Sequence, residues 1–239
     1  MSRAGRFLDA RQLGLPLPHQ PALGREDFVV SACNARAARL IDDWPDWPFG
    51  RAAAIVGPTG SGKSHLARAF ASRAGAPVHQ ARTLAALVSS AFDEAAPARV
   101  IDDVDRGVDE AALLHLFNAT LEADGFVLLT ACTPPARWSL ALPDLVSRLR
   151  VLQVAEIGMP DDAILPALIA KLFADRQLAV GAEAVAYLLA RIERSYDAIH
   201  AVVEALDRAA LSEARAVTIP LIRTVLAEAA TPDDEAMKS

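Results

Sequence analysis

Cysteine is nearly absent: Cys33 and Cys132 are the only two in 239 residues, they lie far apart, and the five histidines fall at no metal-ligand spacing. Neither a disulfide framework nor a zinc site is indicated. Also missing is any apolar run near the ~20 residues that a membrane-spanning helix needs, and the opening Met1-Ser2-Arg3-Ala4-Gly5-Arg6 leads into no long signal core. The expectation is a cytoplasmic protein with no membrane partner. Positive charge is not in surplus, since 24 Lys and Arg stand against 30 Asp and Glu for a net charge of −6. That balance argues against a broad nucleic-acid-coating surface, leaving at most weak direct DNA contact, and makes a protein partner the default. Repeats and low-complexity segments are absent too. What the chain has is apolar content, 53% by composition, enough for one good core and a small second domain.

The rest is organised around Gly57-Pro58-Thr59-Gly60-Ser61-Gly62-Lys63-Ser64, with the apolar run Ala52 to Val56 before it and a stretch of helical spacing from His65 to Phe70 after it. Strand, glycine-rich loop and helix in that order form a phosphate-binding loop. The glycines let consecutive backbone N–H groups face one anion, and the helix start adds free donors and the positive dipole end. Lys63 is expected to reach the β- and γ-phosphates and the Ser64 hydroxyl to ligate Mg²⁺, so the cofactors are ADP or ATP with Mg²⁺, and Gly57 through His65 form the nucleotide-contacting stretch.

Downstream, Val100-Ile101-Asp102-Asp103 reads as an apolar strand ending in acid. Asp102 is the expected magnesium carboxylate and Asp103 the group that orients an attacking water. In isolation the same residues would read as a surface turn; paired with Lys63 and Ser64 they do not. Helices are predicted over Asn34 to Asp42, Leu84 to Phe92 and Asp109 to Ala123, with strands at Val78 to Gln80 and Phe126 to Thr130. Trp44 and Trp47, set among prolines, read as packing anchors.

Strands alternating with helices predict a parallel α/β sheet sandwiched by helices, with ligands at the carboxyl ends of its strands. From about Pro160 only helical patterns remain, at Asp161 to Asp175, Glu183 to Glu193, Tyr196 to Glu213 and Thr218 to Glu228. The expected domains are an extended arm over 1–25, an α/β nucleotide-binding domain over 26–158, a small all-α lid over 159–230 and a disordered tail over 231–239. Within the arm, Gln12, Leu13, Leu15, Pro16 and Leu17 suit an extended peptide laid into another protein's pockets, or equally an arm packed on its own domain.

This order of parts is that of an AAA+ ATPase, and the resemblance goes further. Gly62-Lys63-Ser64-His65-Leu66, Ile101-Asp102-Asp103-Val104, His115-Leu116-Phe117-Asn118-Ala119, Leu129-Thr130 with Pro134-Pro135, and Leu145-Val146-Ser147-Arg148-Leu149 resemble the DnaA family of bacterial replication initiators. An initiator would continue into a helix-turn-helix domain, whereas this sequence stops after the lid. With Leu206-Asp207-Arg208-Ala209 and Thr218-Ile219-Pro220, it is more similar to the Hda-like regulators of that family. The resemblance implies that residues 12 to 17 bind the β sliding clamp and that DnaA is a partner, with self-association left open. It implies that Arg148 is an arginine finger that stimulates hydrolysis of DnaA-bound ATP, preferred over nearby Arg150 because Ser147 and Leu149 match. The protein would thus be a negative regulator of replication initiation with weak or no ATPase of its own. A DnaA-like helicase loader or transposition helper is the alternative.

Two positions depart from the family pattern. Cys132 stands near a polar sensor position, where Thr130 or Thr133 would have to substitute, because a thiol is a poor hydrogen-bond donor. Asp197 stands where the lid usually offers a phosphate-contacting arginine, unless the count slips and Arg194 takes the role.

Overall fold

The computed structural model describes residues 24–89, 96–213 and 216–230. Residues 12 to 17, and the tail beyond residue 230, lie outside them. The sheet holds five parallel strands: β1 (Ala52–Val56), β2 (Val78–Gln80), β3 (Ala98–Asp102), β4 (Phe126–Ala131) and β5 (Gln153–Glu156), in the order β2-β3-β4-β1-β5. Every residue of β1 is buried, because β4 pairs along one side, β5 along the other, and helices cover both faces. A strand so enclosed needs continuous apolar side chains, and Ala-Ala-Ala-Ile-Val supplies them in small sizes that let the helices approach.

One face carries α1 (Ala35–Asp42) and α2 (Lys63–Ala74), closed at its rim by the tryptophans. Trp47 stacks on Phe70 and donates its indole N–H to the Leu40 carbonyl at 2.7 Å, while Trp44 meets Phe70 edge-on. Both are packing anchors, as their setting among prolines suggests. The other face carries α3 (Leu84–Ser89), α4 (Glu110–Glu122) and α5 (Pro143–Arg150). The α4 helix starts where Asp109 accepts the Ala112 N–H at 2.8 Å, an N-cap that satisfies a donor otherwise left orphaned.

The lid comprises α6 (Leu165–Asp175), α7 (Ala182–Leu189), α8 (Tyr196–Glu213) and α9 (Ile219–Ala230), around its own core of Ile169, Phe173, Leu188, Ile199, Val203, Leu206 and Ile222. Its first helix begins at Leu165 rather than at Asp161. Asp161 instead caps a turn through the Ile164 N–H at 2.9 Å, and Pro166 occupies the first helical turn, where its missing N–H costs nothing. Sequence periodicity also leaves β5 undetected and displaces β3 by a residue at its end: Asp103 lies beyond the strand in a left-handed conformation, φ 60°.

Candidate functional site

The phosphate loop leaves β1 at Gly57 and enters α2 at Lys63, so it lies at the carboxyl edge of the sheet beside the ends of β3 and β4. Gly62 adopts φ 93°, and a Cβ there would lie 2.7 Å from the Phe28 ring. Only glycine meets both demands. Lys63 is buried, 5% exposed, with its ammonium donating to the carbonyls of Gly57 at 2.8 Å and Pro58 at 2.7 Å. It makes no ion pair with any described residue. The Ser61 hydroxyl is buried beside it without a hydrogen-bond partner among those residues. A buried cation lacking a counter-charge, next to an orphaned hydroxyl and a helix start, fits an anion the size of a phosphate chain.

Sequence residues far apart converge on Asp102. Its carboxylate accepts from Ser64 Oγ at 3.1 Å, from Gln80 Nε2 at 3.2 Å and from Thr130 Oγ1 in a short contact. Ser64 and Asp102 are thus adjacent, with the hydroxyl and carboxylate oxygens that suit Mg²⁺. Thr130 is fully buried and also accepts the Asp103 N–H at 3.0 Å, tying the acidic pair to the end of β4. Asp103 is half-buried, its left-handed backbone held by that bond.

The neighbouring residues divide the work differently from the sequence reading. Thr133 and the backbone of Cys132 are engaged by Asp105, whose carboxylate accepts the N–H groups of Cys132 and Thr133 and the Thr133 hydroxyl at 2.8 to 3.0 Å. Cys132 Sγ lies 3.7 Å from Thr59 Oγ1, and Arg106 reaches the same threonine. Hydrogen bonding to Cys132 and the charge of Asp103 favour the protonated Arg106 further. Arg106 and Gln80 carry no motif signal, and sequence reasoning passed over both.

On the loop's other flank a cavity of about 440 Å³ opens between Asp27 to Val29, Gly60 to Gly62, His65 and the lid. His65 donates to the Gly24 carbonyl at 2.7 Å, and burial holds its imidazole below the usual range. From the lid, His200 donates to the Gly60 carbonyl at 3.1 Å, and Tyr196 packs against the same glycine. Burial, then the Cys33 thiol, push the Tyr196 phenol well up; that thiol lies 3.6 Å from the phenol oxygen. Asp161 accepts the Cys33 N–H at 3.1 Å, and its carboxyl is held low, chiefly by the Ile164 N–H. The base of the lid is therefore bonded to the segment that walls the cavity.

Asp197 is not part of this wall. It is exposed in the first turn of α8, and Arg194 pairs instead with Asp162. Arg148 is exposed on α5, which packs against α4 and the turn at Pro135–Arg137, and it forms no ion pair with a described residue. The structure does not bring it to its own phosphate loop by any hydrogen bond. Among the described residues no group of acidic, histidine and cysteine side chains forms a preset metal cage, and no helix is long and apolar enough to cross a membrane.

A five-stranded parallel sheet with a phosphate loop at its carboxyl edge and a helical lid over that edge is the architecture of the AAA+ fold. Its neighbours include domain III of the Thermotoga maritima replication initiation protein DnaA, at TM-score 0.74 and 19% identity over 89% of this chain and 98% of that one. AMPPCP-bound DnaA from Aquifex aeolicus follows at TM-score 0.64 and 20% identity over 78% and 65%, and a Thermotoga maritima RuvB at 0.62 and 16% over 86% and 71%. An uncharacterised protein of Haemophilus influenzae is 27% identical over 185 residues, 72% of this chain and 80% of its own. Residues 162–226 match the Hda lid-domain family. The helical part of the chain is thus similar to the Hda lid domain, and the chain as a whole shares the fold of DnaA domain III.

Proposed function

We propose that this chain binds adenine nucleotide with Mg²⁺ and acts as a regulator of replication initiation, stimulating hydrolysis of ATP held by a DnaA-type partner. The observation that carries the reading is the pairing of an Hda-type lid with a phosphate loop whose buried Lys63 finds no counter-charge among the described residues. Lys63 and the loop N–H groups would hold the phosphates, and Ser64 with Asp102 would hold the metal. Magnesium, when bound, withdraws charge from phosphate oxygens. Arg148, exposed and without an ion pair among the described residues, would enter a partner's site, where a planar guanidinium stabilises charge developing on the transferred phosphoryl group.

Residues 12 to 17 are proposed as the tether to the sliding clamp, on the strength of the motif Gln-Leu-Gly-Leu-Pro-Leu. The test is a reconstituted assay with clamp, DNA and ATP-loaded DnaA, comparing wild type with two variants. Arg148→Ala should keep nucleotide and clamp binding while lowering stimulated hydrolysis about tenfold or more. Gln12→Ala with Leu17→Ala should lose the clamp at unchanged thermal stability. Full stimulation by Arg148→Ala would move the role to another residue, and stimulation by neither variant nor wild type would overturn the reading.

A further inference from the structure

Arg106 follows the acidic end of β3 by four residues, and half of its surface is open to solvent, so composition alone would place it among ordinary surface arginines. Its setting is firmer than that. The single turn Val104–Arg106 is anchored from below by Val104, 2% exposed, and from the side by Asp105, which clasps the backbone of Cys132 and Thr133. From this mount the guanidinium Nη2 donates to Thr59 Oγ1 at 3.1 Å and lies 3.9 Å from Cys132 Sγ, while Nε lies 3.9 Å from the Asp103 carboxylate.

These neighbours locate it along the loop. Gly60, Ser61 and Gly62 face the lid-side cavity. Thr59 lies on the other flank, directly after Gly57 and Pro58, whose carbonyls hold the Lys63 ammonium. In a phosphate loop that lysine serves the β- and γ-phosphates, so Thr59 marks the terminal-phosphate end. The acidic pair and Cys132 border the same end. Cys132 offers a weak donor there and Asp197 offers none, so a cation mounted at Thr59 changes what the site can recognise.

We propose that Arg106 is this chain's own cationic contact to the terminal phosphate of a bound nucleoside triphosphate, by which the site distinguishes triphosphate from diphosphate. This rests on the nucleotide-binding reading above. Its fixed fork has donors to spare beyond the Thr59 bond, and a phosphate oxygen is the acceptor that suits them. Without it, the added negative charge of a third phosphate meets Asp102, Asp103 and Asp105 with less compensation.

Calorimetric titration of the full chain with ADP and with Mg·AMPPCP separates the outcomes. Arg106→Ala should weaken AMPPCP binding about tenfold or more and change ADP affinity less than about twofold, and Arg106→Lys should recover part of the loss. Equal losses for both nucleotides would make Arg106 a structural brace of the loop and overturn the proposal, as would unchanged affinity for both. Lys63→Ala is the control for the underlying reading: if wild type and Lys63→Ala bind ADP alike, the nucleotide site itself is misassigned and the Arg106 proposal falls with it. Unfolding temperatures of the two Arg106 variants, expected to match wild type, show that the fold is retained.

Discussion

Thr130 holds three parts of the site together through one hydroxyl, which donates to Asp102 and accepts from the Asp103 backbone in a fully buried position. Replacing it with valine preserves shape but leaves the Asp103 N–H without that acceptor, an unmade bond worth about 1 to 3 kcal/mol. Thr130→Val should therefore unfold at lower urea concentration and bind Mg²⁺-nucleotide more weakly, whereas Thr130→Ser should restore much of both. Asp197 illustrates the opposite case. A carboxylate in the first helical turn is favoured by the dipole wherever the lid sits, and its exposure keeps it off the cavity wall. Asp197→Arg should leave ADP affinity within about twofold of wild type, while His200→Ala, which removes the bond to Gly60, should shift it more. A large gain in affinity for Asp197→Arg would return that position to the nucleotide.

At the scale of elements, the lid is a helical unit with a core separate from the sheet's, and α8 runs through its centre. Phe173 on α6 is fully buried in that core, and truncation there creates a cavity the short helices cannot close. Phe173→Ala should cost about 3 to 5 kcal/mol of lid stability. Because His200 and Tyr196 reach the phosphate loop from the same unit, hydrogen exchange should show α6 to α9 opening together, slowed by ADP in wild type and no longer slowed in Phe173→Ala. The helical periodicity of these segments was legible in the chain. The start of α6 was not, since the turn at Asp161 depends on a side-chain bond and α6 begins only where that turn ends. The β5 strand escaped notice because Gln153-Val154-Ala155-Glu156 has a polar residue at each end and only one buried member.

At the scale of the whole molecule, two histidines give folding a pH dependence. Burial lowers His65, with the Gly24 carbonyl acting in the opposite direction, and burial followed by the charge of Arg99 lowers His79. Above the ordinary histidine value of 6.5 both folded and unfolded chains are neutral at these sites, and the full stability is present. As pH falls below it, the unfolded chain takes up protons first, so stability declines until the folded values are passed. Asp161, held low, adds a further loss below its ordinary 3.8. Thermal unfolding should therefore shift to lower temperature between pH 7.5 and about 5.5, and an unchanged midpoint would contradict the burial of these rings.

The sequence by itself determined the phosphate loop, the acidic strand end, the parallel α/β plan and the helical lid, because each rests on local spacing: apolar runs of strand length, glycines before a lysine, and helical periodicity. Tertiary structure decided what stands around them. That Gln80, Thr130 and Ser64 all serve Asp102, that Asp105 clasps Cys132 and Thr133, that His200 rather than Asp197 meets the loop, and that Arg106 rests on Thr59 follow from strand order and from the lid's seat on the sheet edge. Those contacts join residues up to 140 apart in the chain, and no local pattern encodes a pairing that only the packed sheet and lid bring within hydrogen-bond distance.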